Sequence, residues 1–176
     1  MAVTLTSTGI TFSDGTNQSS AASGGVDGSK QVFHNSGTWS RPAGVGSIMV
    51  SLGGGGGGGG GCGDFNGCAP GGPGGYLPPT WASVSANQSV TVGGGGAGGN
   101  HGHIGNAGST GGASSAVGFS ANGGGGGTRG YQGNRTPGNP GNNSVNSRGP
   151  KAAGTLGGPS GNSGTPGQPG WAVIYW

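Results

Sequence analysis

Apolar residues in this chain fall into short islands separated by long glycine-rich stretches. Between Val3 and Ala22 the alternation is weak. Ile10 and Phe12 share one face of an extended strand, and Asp14-Gly15 is a two-residue hairpin signal. Ser19 to Gly28 is small and polar and reads as a linker. The chain therefore divides into a hairpin segment with linker at 1–28 and a main domain at 29–176. In the main domain, Gln31 to Asn35 and Thr38-Trp39 read as short strands with Ser36-Gly37 as the turn between them. Arg41 to Gly44 is a second turn, and Ser47 to Leu52 is the strongest central strand. Trp81 to Val84, Ser89 to Val92, Ala116 to Phe119 and Trp171 to Trp176 complete the strand set. No helical repeat of apolar positions occurs anywhere.

The stretches between the islands keep a register. Glycine occupies every third position from Gly93 to Gly111, again at Gly124, Gly127, Gly130 and Gly133, and again from Gly158 to Gly170. Gly53 to Gly61 is unbroken glycine. A flexible linker has no reason to hold such a period, whereas a polyproline-II-type backbone has three residues per turn and no internal hydrogen bonds. Buried backbone groups need partners. Several such helices side by side supply them, provided that the facing residue lacks a Cβ. Ordering a residue costs roughly 1–2 kcal/mol, and a net hydrogen bond returns only about 0.5–1.5 kcal/mol. Such a bundle needs support, expected from β islands clamping the tract ends and from oligomerisation. The expected fold is all-β: a small β-sandwich-like domain with polyglycine-II tracts and almost no helix.

Composition sharpens this picture. Glycine and proline supply 52 and 11 of the 176 residues, hydrophobic residues 28% and charged residues 5%, which excludes an ordinary aliphatic core along the whole chain. Collagen requires strict glycine periodicity throughout and more proline. Disorder usually comes with high net charge, and here the net charge is only +3. The cations Lys30, Arg41, Arg129, Arg135, Arg148 and Lys151 are too dispersed for a nucleic-acid footprint. Met1 to Thr6 has neither a basic region nor a long apolar stretch, and no run approaches a bilayer span, so neither secretion nor membrane insertion is expected. Cys62 and Cys68 are close enough to bridge; free thiols in a reducing cytosol are an equal alternative.

The order of motifs resembles a known family. Phe33 to Val45, then Ile48 to Val50 and the polyglycine run, then Ser89 to Gly96, Ser114-Ser115 and a closing Pro169 to Ile174 resemble the glycine-rich domain found at the ends of phage tail fibres. The similarity covers residues 30–176. Separately, Gly9 to Thr16 resembles a short N-terminal segment of phage tail proteins. The resemblance implies a virion attachment protein, a fibre or fibre-tip adhesin assembled in the host cytoplasm. It would act as a homotrimer, joined to other tail or baseplate proteins through its N-terminal segment and meeting a host surface glycan or outer-membrane receptor. The small adhesins capping T-even long tail fibres are similar in their polyglycine-II layers. This chain departs from them in being shorter and carrying its own β-rich flanks, which leaves whole fibre and detachable tip both open.

Catalysis has little to draw on. There is no Glu, and Asp14, Asp27 and Asp64 are scattered through turn-like segments, so a paired-carboxylate site is not expected. Gly53 to Gly61 lacks the Gly-Lys-Ser/Thr ending of a phosphate loop. No cofactor is expected, apart from a weak transition-metal candidate at His101 and His103, which are two apart and share a face of an extended segment; exposed loop histidines are the plainer alternative. For receptor contact the candidates are aromatics flanked by polar groups on loops: Phe65 with Asn66, and Tyr131 between Arg129 and Arg135. Trp39, Trp81, Trp171 and Trp176 lie in strand-like segments and are expected in the core. A structural fibre or baseplate component without receptor contact is the alternative function. Ice binding is disfavoured because Asn, His, Ile, Arg and Tyr interrupt any repeating Ala/Ser/Thr face.

Overall fold

The computed structural model describes residues 29–63, 68–129 and 163–176, together with three short strands ahead of them. Those strands are β1 (Val3–Thr6), β2 (Gly9–Phe12) and β3 (Asn17–Gln18), antiparallel in the order β1-β2-β3. β2 and β3 flank the Asp14-Gly15 dipeptide, pairing Ile10 with Gln18.

Two four-stranded antiparallel sheets form the sandwich. The first has the order β4 (Lys30–Phe33), β11 (Trp171–Tyr175), β6 (Ser47–Gly53), β7 (Tyr76–Ser83). The second runs β10 (Phe119–Ala121), β9 (Ser114–Ala116), β8 (Gln88–Thr91), β5 (Gly37–Trp39). Alternation selects the inward set. In β6, Ile48, Val50 and Leu52 are fully buried, and in β11 Ala172 and Ile174 are; they meet Val90, Ala116 and Ala121 from the second sheet. Trp39 lies at the heart of this core, edge-on to Trp176 at 5.6 Å and 62°. Among the described residues no helix occurs.

The glycine tracts continue the strands. β6 runs into the 54–61 tract, β8 and β10 likewise lead into the 93–100 and 122–128 tracts, and the 69–75, 106–112 and 164–170 tracts lead into β7, β9 and β11. Their hydrogen bonds obey a period of three. Gly54, Gly57 and Gly60 donate to Gly75, Gly72 and Ala69; Gly55, Gly58 and Gly61 donate to Gly112, Ser109 and Asn106; Gly56 and Gly59 donate to Gln168 and Thr165. These bonds measure 2.7–3.0 Å, and acceptor numbers fall as donor numbers rise, so the three partner tracts are antiparallel to 54–61. Two further tracts run parallel to it: Gly96 and Gly99 donate to Gly56 and Gly59, and Gly124 and Gly127 to Gly55 and Gly58. Among the described residues, five tracts thus surround one. Neighbours in the outer ring also bond one another, as in Ser109 to Ala97 and Gly72 to Gly125. This is the lateral bonding expected of polyglycine-II helices.

Steric closeness explains the composition. An added Cβ would lie 2.0 Å from Ala97 O on Gly58 and 2.0 Å from Gly125 O on Gly57, backbone atoms that cannot swing aside. Proline obeys the complementary rule. In the 69–75 tract the amides of residues 69, 72 and 75 donate to the 122–128 tract, and Pro70 and Pro73 fall in the adjacent register. In the 164–170 tract residues 164, 167 and 170 donate, while Pro166 and Pro169 stand aside. A residue without an N–H is tolerated where no lattice bond is asked of it.

Several local expectations need correction. Ser36-Gly37 does not close a hairpin, because β4 pairs with β11 and β5 pairs with β8, so the chain changes sheets there. Ala116 to Phe119 is not one strand: Val117 and Gly118, at φ +51° and +76°, form the turn between β9 and β10. The unbroken period from Gly93 to Gly111 conceals a reversal. The chain turns at 101–104, and an added Cβ on Gly102 would meet only Gly105 N, at 4.0 Å.

The tryptophans expected in the core divide. Trp39 is buried and Trp176 packs against the core, but Trp171 lies on the outer face of the first sheet and Trp81 is 72% exposed. Counting back from buried Val84, alternation puts Ala82 inward and Trp81 outward.

Candidate functional site

The sandwich caps one end of the bundle; turns and loops gather at the other. Gly60 donates to Ala69, Gly61 to Asn106 and Ala69 to Thr128, while His101 N donates to Ser163 Oγ at 3.1 Å. These bonds bring four pieces of chain to one end: the ends of the 62–68 loop, the 101–104 turn, Thr128-Arg129, and Ser163. The turn is closed by Gly105 N donating to Gly102 O at 3.0 Å, with Gly105 at φ +68°, a left-handed conformation that glycine adopts without strain.

A disulfide joins Cys62 to Cys68 across this end, with Cα atoms 4.9 Å apart. Of the two alternatives for these cysteines, the structure shows the bonded one. Cys62 is fully buried where the central tract ends. The bridge thus fixes the exit of the 54–61 tract against the entry of the 69–75 tract. Closing so short a loop withdraws about 2 kcal/mol of freedom from the unfolded chain.

His101, His103 and Arg129 are exposed and share this end of the bundle. Phe65, Asn66, Tyr131 and Arg135 lie outside the described residues. Phe65 and Asn66 belong in sequence to the segment closed by the disulfide, and Tyr131 follows Arg129 by two residues. Among the described residues no three His, Cys, Asp or Glu side chains cluster to hold a metal, and His101 and His103 lie on a surface turn. No helix among them is long and apolar enough to cross a membrane.

The outer faces of the two sheets differ. The second presents hydroxyls: Thr91, Ser115 and Ser120 lie in one cross-strand row, with Ser89 beside them around a hollow of about 310 Å³. The first presents rings and alkyl groups. Tyr175, Met49 and Trp81 are directly paired across three strands, and Tyr76 and Trp171 meet at 5.9 Å. Sequence reasoning missed the outer face of the first sheet by assigning Trp81 to the core.

A family model described as a glycine-rich domain matches residues 30–173. No curated protein matches the chain.

Proposed function

We propose that the bundle of this chain, which belongs to the glycine-rich domain family, serves as a rigid, non-enzymatic display scaffold: a phage tail fibre or fibre-tip adhesin that touches a host-cell surface receptor during attachment. The observation that carries this reading is the polarity of the bundle. One end is anchored in a folded sandwich; the other gathers a disulfide-closed loop, a histidine-bearing turn and Arg129. Laterally bonded backbone stiffens the shaft without a large apolar core, so the terminal segments can vary without unfolding what carries them. Phe65, Asn66, Arg129, Tyr131 and Arg135 are the contact residues in this reading, within a homotrimer on the virion.

The test uses assembled particles in which Phe65 and Tyr131 are both changed to Ala. Adsorption to host cells should slow by about tenfold or more, the loss expected from removing anchor aromatics, with particle yield unchanged. Unchanged adsorption by intact particles would remove the receptor role and leave a structural fibre or baseplate component.

A further inference from the structure

We propose that the outer face of the first sheet carries a binding site for a neutral saccharide, with Trp81 as its platform. Trp81 is 72% exposed although it sits mid-strand in β7, opposite Met49. Beside it is a shallow hollow of about 280 Å³ lined by Ser47, Trp81, Ala82 and Ser83. Ser47 and Ser83 are directly paired across β6 and β7, so two hydroxyls flank one side of the ring.

The chemistry of the hollow selects the ligand. Among the described residues its lining holds no charged group; the cation in Trp81's row, Lys30, stands three strands away beyond Met49 and Tyr175, and Arg41 Nε is committed to the Val45 carbonyl. An ionic ligand finds no counter-charge there. A pyranose ring has one face of C–H bonds that suits the electron-rich face of an indole, and its rim of hydroxyls suits short side chains that both donate and accept. The hollow has room for one such ring, open to longer chains at the surface.

The size of the face weighs against a second copy of the chain as the occupant. Four strands spaced about 4.8 Å, carrying three rows of side chains, have a flat footprint of roughly 400 Å², a small base for the roughly 800 Å² of accessible surface per partner typical of a stable protein interface. Strand addition along the adjacent edge is disfavoured too, because Pro78 and Pro79 lie within β7, the edge strand.

This site is remote in the chain from the terminal loops and does not require the virion role. Its test follows the four indole N–H signals by NMR in the intact chain during separate titrations with D-glucose, D-galactose and N-acetyl-D-glucosamine. At least one sugar should shift the Trp81 signal saturably, with half-saturation around the millimolar level typical of weak single-ring contacts, leaving the buried Trp39 signal in place. Trp81→Ala should abolish the saturable response, and Trp81→Phe should retain it with weaker affinity. Both variants should keep the fold, since the side chain is mostly solvated. Absence of a saturable Trp81 shift with all three sugars overturns the proposal. A fall in sedimentation coefficient for Trp81→Ala also overturns it, by identifying the face as a contact between copies.

Discussion

The Ser114 hydroxyl donates to the Gly53 carbonyl at 2.7 Å while accepting the Gly93 amide at 3.0 Å. Gly96 to Gly56 and Gly99 to Gly59 are direct lattice bonds in the same register. One triplet earlier, where Gly93 would reach Gly53, the side chain at the start of β9 is inserted as a relay. Sheet and bundle are joined by this fully buried hydroxyl.

Ser114→Ala should therefore strand a buried N–H and a buried C=O. Each costs about 1–3 kcal/mol when left unpaired, so the denaturation midpoint should fall well beyond the effect of removing an exposed serine such as Ser89. Equal effects of the two substitutions would contradict the relay.

Glycine substitutions should divide by position. Gly58→Ala places a Cβ 2.0 Å from a carbonyl oxygen and should abolish the cooperative thermal transition. Gly94→Ala meets nothing within 4 Å and should stabilise by about 0.4–1 kcal/mol through the unfolded state. Circular dichroism melts of the two variants check this.

Val117 holds φ +51° in the β9–β10 turn, a conformation that costs a β-branched residue roughly 1–2 kcal/mol. Gly118 after it, at φ +76°, completes the pair of positive angles that a type I′ hairpin requires. Val117→Asn should raise the melting temperature, since Asn tolerates this region and Val117 is only partly buried against the core.

Much of this architecture can be read from residue order. The triplet glycines carry the bundle because Cβ exclusion is a local, periodic demand, and β6 and β11 are legible because Ile48, Val50, Leu52 and Ile174 alternate. The reversal at 101–104 is hidden because His101 to Ile104 keeps glycine in step while leaving the lattice. Trp81 is misplaced by hydrophobicity alone; the alternation ending at Val84 carries the correct phase. The change of sheet between β4 and β5 depends on distant partners, β11 and β8, which no local signal specifies. At the candidate tip, the sequence supplies the residue types, but the shared location of Cys62, His101 and Arg129 comes from tract pairing.

The Cys62–Cys68 bridge gives another expected outcome. Cys62→Ser with Cys68→Ser should lower stability by about 2 kcal/mol in denaturant titrations, and the unreduced wild-type chain should take up no alkylating agent after unfolding. Full labelling of both thiols without reductant would contradict the bridge.

The lateral lattice is tested most directly by residue-resolved amide exchange along the 93–100 tract. Gly96 and Gly99 donate to the central tract and are buried; Gly94, Gly95 and Ala97 are exposed and, among the described residues, their amides donate no bond. Slow exchange at Gly96 and Gly99, with fast exchange at the three between and before them, is the predicted result. Uniform exchange along the tract, fast or slow, would contradict the three-residue lattice.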